Sequence, residues 1–352
     1  MIIIIFLVSL SVLVLVHEFG HFFVAKRVGV QVEEFGLGFP PSLYRWRRGI
    51  TVYSLNLLLF GGFVKLTGED NPDIPNGFLA QPAIKKIVIS LAGILLNLFL
   101  AYFLFSFGYL VGLPEFDASL SNVTILRVLP NSPAAASGLQ LGDQLLALKD
   151  QSGKIVQFQQ PTTVKNLLGQ YAGQKIELLI QRGHEKFWRS VTPQSVDRQD
   201  RGPLGIYIGS VVLVRHSFPS NFIAGLKRTL IVTQKITLAF LEFIVNLFRR
   251  QASVTEVVGP LGIFDVYQQM RTLGFGYLFH FWGLISLNLA ILNLLPLPAL
   301  DGWRVLTYSY EGLRRRPLSR RFELITNQVG FILLILLLLI VTIKDIAVKF
   351  QP

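Results

Sequence analysis

The stretch Leu15-Val16-His17-Glu18-Phe19-Gly20-His21 lies inside an apolar run that begins at Met1. His17 and His21 are four residues apart, so a helix puts them one turn apart on the same face. Two imidazoles so placed can hold one Zn²⁺, with Glu18 between them in reach of a water on the metal as its base. A bound metal lowers the pKa of such a water to about 7, which makes a nucleophile available at neutral pH. Met1 to Val16 carries no charge, and Ser9 and Ser11 alone interrupt its apolar character. Continued through Phe22-Phe23-Val24-Ala25, the segment is long enough to cross about 30 Å of hydrocarbon. His17 lies roughly 24 Å from its start. Ionisable groups at that depth are costly and mark function. A pair of packing histidines is the plainer alternative, but it gives no reason for a glutamate between them.

The remaining composition fits a membrane chain with one soluble insertion. Of 352 residues, 51% are hydrophobic and 15% charged, with a mean hydropathy of +0.51. That is too apolar for a soluble enzyme and too polar for a wholly embedded one. The net charge of +12 would suit nucleic acid, but the basic residues cluster beside apolar segments. The excess of Lys and Arg in cytoplasmic loops accounts for that pattern better, so no nucleic-acid partner is expected. There is no cysteine, hence no disulfide framework and no inference about redox compartment. The N-terminal segment has no basic leader and no small-residue cleavage site, and is read as a retained helix.

Lys26 and Arg27 follow the first span, then a polar stretch with Arg45, Arg47, Arg48 and Lys65, closed by Lys85 and Lys86. These charges place the stretch in the cytoplasm. Phe35-Gly36-Leu37-Gly38-Phe39-Pro40-Pro41 is too rich in glycine and proline for a helix. Ile50 to Leu59 is β-rich, and Gly61-Gly62 separates it from Phe63-Val64-Lys65-Leu66. The pattern predicts a hairpin or looped sheet, apolar enough to dip into the membrane where protein or water satisfies its backbone. Ile87 to Leu113 is a second span, running outward. Gly93 and Asn97 lie one turn apart on it, which suits either a packing seam or a role near the active site.

From Leu113 to Val214 the composition is that of a soluble α+β domain, placed outside the cytoplasm by the outward run of the second span. Strands are expected at Val123–Leu129, Gln144–Leu148, Lys175–Gln181 and Phe187–Val191, with helices after Ser132-Pro133 and near Thr163–Leu168. The run Ser132-Pro133-Ala134-Ala135-Ala136-Ser137-Gly138-Leu139-Gln140-Leu141-Gly142-Asp143 resembles the signature of a PDZ domain. The resemblance implies a peptide terminus bound along a last strand at Leu204-Gly205-Ile206-Tyr207, with Gly205 and Ile206 facing the ligand. A filter or spacer role without peptide binding stays open.

Asn221 to Phe248 could span, but Lys227, Gln234, Lys235, Glu242 and Arg249 form one polar stripe. An amphipathic helix on the membrane surface fits that stripe better. Gly259-Pro260-Leu261-Gly262-Ile263 breaks the chain ahead of a short helix. Tyr277 to Leu295 spans again and ends in Asn293…Pro296-Leu297-Pro298-Ala299-Leu300-Asp301-Gly302. The prolines end the helix, so Asp301 is expected on extended backbone. Asn293 lies roughly 24 Å below the outer interface, the depth of His17, which puts Asp301 where a third metal ligand is needed. Arg314, Arg315, Arg316, Arg320 and Arg321 mark the next loop as cytoplasmic, and Ile325 to Ile343 is the last span.

The expected architecture is a multi-pass α-helical membrane protein of about four spans, with a membrane-dipping β-loop and an inserted extracytoplasmic domain. Its parts are residues 1–112, 113–214, 215–276 and 277–352, with both termini outside. Together these motifs resemble the site-2 protease family of intramembrane zinc metalloproteases, most closely its bacterial RseP-like branch. The resemblance implies that His17, His21 and Asp301 bind Zn²⁺, that Glu18 is general base and then general acid, and that Asn293 contacts substrate. It also implies a bacterial plasma-membrane enzyme acting on pre-trimmed single-span proteins, such as anti-sigma factors or signal-peptide remnants. A single PDZ-like domain departs from the two-domain members of the branch. On physical grounds, the edge formed by Gly61, Gly62, Phe63 and Val64 could pair with an unwound substrate. Two rivals are a metal transporter, which has no need of Glu18, and a non-catalytic scaffold, which would keep its binding without His17.

Overall fold

Helix α1 (Ile2–Arg27) carries the apolar run without a break. In hydrocarbon a helix pairs every backbone polar group within the segment, and the two serines follow suit. Ser9 and Ser11 donate their hydroxyls to the carbonyls of Ile5 and Leu7, at 2.8 and 2.9 Å. Lys26 and Arg27 occupy the last turn, where cations complement the helix dipole. The computed structural model describes residues 1–71, 73–116, 122–129, 131–183, 185–194, 202–249, 258–316 and 318–350. These divide into two compact units, one of Met1–Phe107, Phe218–Val257 and Phe279–Val341, the other of Gly108–Ser217, Val258–Leu278 and Thr342–Pro352.

In the first unit, β1 (Val32–Arg48) and β2 (Thr51–Leu66) form an antiparallel hairpin whose tip pairs Arg48 with Thr51. The register agrees with the looped sheet expected around Gly61-Gly62: Val52–Leu55 and Gly62–Lys65 pair with opposite edges of Glu34–Leu37. Strand β2 runs through both glycines and pairs with the Gly/Pro-rich segment that precedes it. Gly61, at φ +101°, lies between those two stretches, where the chain passes from one edge of β1 to the other. Pro40 and Pro41 fall between the pairs Phe39–Leu58 and Ser42–Asn56, so their missing N–H groups cost the ladder little. Helix α2 (Ala83–Val111) then packs against α1. A side chain at Gly20 would lie 2.5 Å from the Ala92 carbonyl oxygen, so this crossing requires glycine.

The second unit holds β3 (Leu113–Phe116), β4 (Thr124–Val128), α3 (Pro133–Ala136), β5 (Gln144–Lys149), β6 (Ile155–Gln157), α4 (Pro161–Gln170), β7 (Ile176–Arg182), β8 (Glu185–Val191), β9 (Ile206–Gly209) and β10 (Val211–Val214). An antiparallel sheet runs β8-β7-β5-β4-β9 with β6 on β5, while β3 pairs with β10 apart from it. Ile125, Leu145, Leu148, Ile176, Leu178 and Ile180 alternate inward and pack on Val164 and Leu168 of α4. Ser132 caps α3, accepting from the Ala135 amide at 3.2 Å. Asp143 is fully buried and closes its turn by accepting from the Gln140 amide at 2.9 Å. It also receives Nε and Nη2 of Arg182 at 2.7 and 2.8 Å, and this pairing holds the guanidinium above its ordinary pKa. Gly205 (φ +67°) turns the chain into β9. Ile206 lines a groove of about 200 Å³ together with Lys165, Leu168 and Tyr207. Gly205 does not line it.

Helices α5 (Ser220–Phe248), α6 (Pro260–Leu273), α7 (Phe275–Leu294), α8 (Asp301–Arg314) and α9 (Arg320–Phe350) complete the chain. Among the described residues, α1, α2, α5, α7 and α9 are long and apolar enough to cross a membrane. Asp301 departs from expectation. It is not on extended backbone but is the first residue of α8, and Leu300 before it is the extended one (φ −102°, ψ 162°). The prolines do end α7 at Leu294, but seven residues later the chain can re-enter a helix. An acidic residue in the first turn favours that, facing the positive end of the dipole.

Candidate metal centre

Two helices of the first unit bring three ligand side chains to one point. Helix α1 supplies His17 and His21 from successive turns, and α8 supplies Asp301 from its first turn. His17 Nε2 lies 3.0 Å from Asp301 Oδ2, His21 Nε2 lies 3.2 Å from His17 Nε2, and His21 Nε2 lies 3.3 Å from Asp301 Oδ2. Zinc holds nitrogen and oxygen ligands at about 2.0–2.1 Å, so the edge of a zinc tetrahedron is roughly 3.3–3.4 Å. The three donor atoms thus already stand near the spacing of three corners, and the fit holds without rearrangement. His₂Asp is a nitrogen and oxygen donor set that suits this ion and leaves a fourth position open. His17 is buried, at 7% exposure, so the cluster is not a solvated charge group.

The other side of each imidazole is also engaged. His21 Nδ1 donates to the Ile89 carbonyl at 2.7 Å, which leaves the Nε2 lone pair facing the cluster. His17 Nδ1 faces the amide of Asn97 at 3.5 Å. Both contacts come from α2, which approaches this closely because residue 93 has no side chain. A Cβ there would lie 2.5 Å from His21 Nε2 and 2.8 Å from His17 Cε1. Gly302 plays a like part for α8, since a Cβ would lie 2.2 Å from the Leu294 carbonyl oxygen at the end of α7.

A cavity of about 390 Å³ opens on the cluster, lined among others by Glu18, Phe63, Val64, Asn97, Asn293 and Arg304. Of the residues singled out from the sequence, it brings together His17, Glu18, His21, Asn293, Asp301, Phe63 and Val64. Gly62 stands behind this wall, where a Cβ would lie 3.6 Å from Glu18 Cγ, and Gly61 borders Phe39 and Val14. Gly205 and Ile206 belong to the other unit. Sequence reasoning missed Arg304, which pairs with Glu69 at 2.8 Å. Arg304 was legible in principle, being three residues after Asp301 and so on the same helix face. Glu69 and the Ile89 carbonyl carry no such signal.

The profile of peptidase family M50 matches residues 5–337. The chain belongs to this family, the site-2 proteases. It is 34% identical over 342 residues to a protein of Clostridium perfringens provisionally named a zinc metalloprotease, covering 97% of each chain. It is 26% identical over 424 residues to the regulator of sigma-W protease RasP of Bacillus subtilis, again with 97% of each covered. A similar match, 26% over 431 residues, links it to the zinc metalloprotease RasP of Oceanobacillus iheyensis. The chain is therefore an integral membrane metalloprotease of the site-2 type, and the centre described above lies in the region the family profile covers.

Proposed function

We propose that His17, His21 and Asp301 hold one Zn²⁺ and that Glu18 is the general base of peptide-bond hydrolysis within membrane segments. The observation that carries this reading is the approach of three donor atoms to 3.0–3.3 Å of one another in a cavity that also holds Glu18. When bound, zinc supplies Lewis acidity toward the scissile carbonyl and makes water acidic enough to deprotonate near neutral pH. Glu18 takes that proton and later delivers it to the leaving amine, so that no charged amide is expelled. Asn293, on the cavity wall, offers its amide to the carbonyl as charge builds there. The imidazole orientations are fixed from α2, so the ligands need no reorganisation during turnover.

A substrate helix hides its carbonyls in intrahelical hydrogen bonds and must unwind before attack. The Gly62–Leu66 stretch of β2 pairs with Val32–Leu37 on one edge, and among the described residues its other edge meets no strand. Phe63 and Val64 carry that strand along the cavity, so an unwound segment adding to β2 would lie beside Glu18. We read α1, α2, α7 and α9 as the four spans and α5 as a surface helix, with the parts at 1–112, 113–214, 215–276 and 277–352. Residues 113–214 form an extracytoplasmic PDZ-like domain whose groove at Ile206 takes a peptide end, with Gly205 shaping the turn before it. The substrates are single-span membrane proteins already trimmed outside, in a bacterial plasma membrane. Sigma-factor control, which the Bacillus subtilis relative's name records, is one setting that fits.

The test is cleavage of a labelled single-span substrate by the purified chain in detergent, with bound zinc measured in parallel. Wild type should cut, while Glu18→Gln should keep its zinc and lose cleavage. Cleavage surviving in a contaminant-free Glu18→Gln sample would overturn the assignment of Glu18.

A further inference from the structure

Asn97 is wholly buried, yet its amide is only half used. Its Nδ2 faces His17 Nδ1 at 3.5 Å, while its Oδ1 is buried with no hydrogen-bond partner. An unpaired buried acceptor is costly and calls for an explanation. His17 supplies one. His17 Nε2 lies 3.0 Å from Asp301 Oδ2 and faces the ligand cluster, so Nδ1 is the ring nitrogen turned to the Asn97 amide.

Zinc at Nε2 requires one particular tautomer of His17. The lone pair of Nε2 is then committed to the metal, the proton sits on Nδ1, and Nδ1 becomes a donor. An amino group facing it would set donor against donor. A half-turn of the Asn97 amide exchanges its oxygen and nitrogen in place, and the idle Oδ1 then accepts from His17 Nδ1–H. We infer that Asn97 is the positioning residue for His17, its Oδ1 accepting from Nδ1–H so that Nε2 presents its lone pair to the metal. This inference rests on the metal-site reading above and deepens it.

The residue type follows from the same logic. Aspartate would accept in the same place but would add a second carboxylate to a site with no exposure. Leucine has nearly the shape of asparagine but would leave Nδ1–H unpaired. The partner of His21, by contrast, is the backbone carbonyl of Ile89, which accepts in one direction only. The two histidines are therefore held differently, one by a backbone carbonyl and one by a side-chain amide.

The test uses the full chain in detergent and measures zinc affinity by competition with a chromogenic chelator. The unfolding temperature of the chelator-stripped protein serves as the check on folding. Asn97→Leu should weaken zinc by about 10–100-fold, the usual effect of removing a ligand's hydrogen-bond partner. Asn97→Asp, an acceptor in the same place, should stay within about threefold of wild type. Ser286→Ala is the packing control: it deletes the 2.8 Å bond to the Asn97 backbone carbonyl without touching His17, and should leave affinity unchanged. Equal affinity in Asn97→Leu and wild type would overturn the inference and leave the metal site standing. Equal weakening in the Leu and Asp variants would also overturn it, by showing that Asn97 only packs. If Asn97→Leu does not fold, the affinity of Asn97→Asp decides alone. If wild type itself binds no zinc, the metal-site reading falls and takes this inference with it.

Discussion

At Gly93 a single methyl group decides whether the metal ligands keep their places. A Cβ would stand 2.5 Å from His21 Nε2 and within 3 Å of two His17 ring atoms, so the rings must move. Gly→Ala in a helix ordinarily stabilises it by about 1 kcal/mol. Gly93→Ala should therefore fold at least as well as wild type yet bind zinc at least about tenfold more weakly, on the scale of lost ligand support. Chelator competition reads this directly, and unchanged affinity would mean that α2 can retreat from α1. Glu18→Gln belongs to the same scale, with an expected loss of about 10²–10⁴ in cleavage rate, the range of general acid–base catalysis. Much of this candidate site was legible in the chain. Four-residue spacing joined His17 to His21, and equal depth on two spans pointed to Asp301. The local backbone at Asp301 was not legible, because the two prolines stop one helix without forbidding another. The Ile89 carbonyl could not have been read from any side chain.

Between elements, the contacts that matter join segments far apart in the sequence. Lys86 of α2 and Glu311 of α8 meet at 2.6 Å, both less than a tenth exposed, with Lys86 Nζ also 4.5 Å from the Tyr308 ring centroid. Glu311 further accepts from the Leu318 amide at 2.9 Å. This pair fixes the helix that begins with Asp301 to the helix that orients both imidazoles. Lys86→Met would leave Glu311 buried without its cation and should cost about 3–5 kcal/mol, whereas the double variant with Glu311→Leu should recover most of the loss. Denaturant unfolding in micelles measures both, and a single variant as stable as wild type would show that the pair is dispensable. Strand β2 makes a separate prediction. Gly62→Pro should impair transmembrane substrates more than short unfolded peptides, which need no strand edge to hold them open. Equal losses on both would remove the strand-addition account. The hairpin itself was only partly visible in the sequence. Glycines punctuate strands, and Gly61-Gly62 do divide two pairing stretches, but that both stretches flank Glu34–Leu37 is a long-range pairing no local pattern carries.

Across the whole molecule, the ligand geometry bears on how the chain threads the bilayer. His17 and His21 lie toward the C-terminal end of α1, and Asp301 follows the C-terminal end of α7. If both helices span, donor atoms 3.0 Å apart require those two ends to share a side, and α1 and α7 must then run in the same direction. Between them α2 returns once, and a full crossing by α5 would reverse α7 and carry Asp301 to the opposite face. Length and apolar content alone admit α5 as a fifth span, which is why composition could not decide the number. The absence of cysteine makes this testable with single introduced thiols. Lys154, Arg249 and Arg315 are all exposed and lie in the inserted domain, just beyond α5 and just after α8. In intact cells, a membrane-impermeant maleimide should label Lys154→Cys and Arg249→Cys, and should reach Arg315→Cys only after lysis. Labelling of Arg315→Cys from outside, with Arg249→Cys protected, would mean that α5 crosses. The polar stripe of Lys227, Gln234, Lys235 and Glu242 would then have to face protein or water within the membrane, because four such groups cannot rest against lipid.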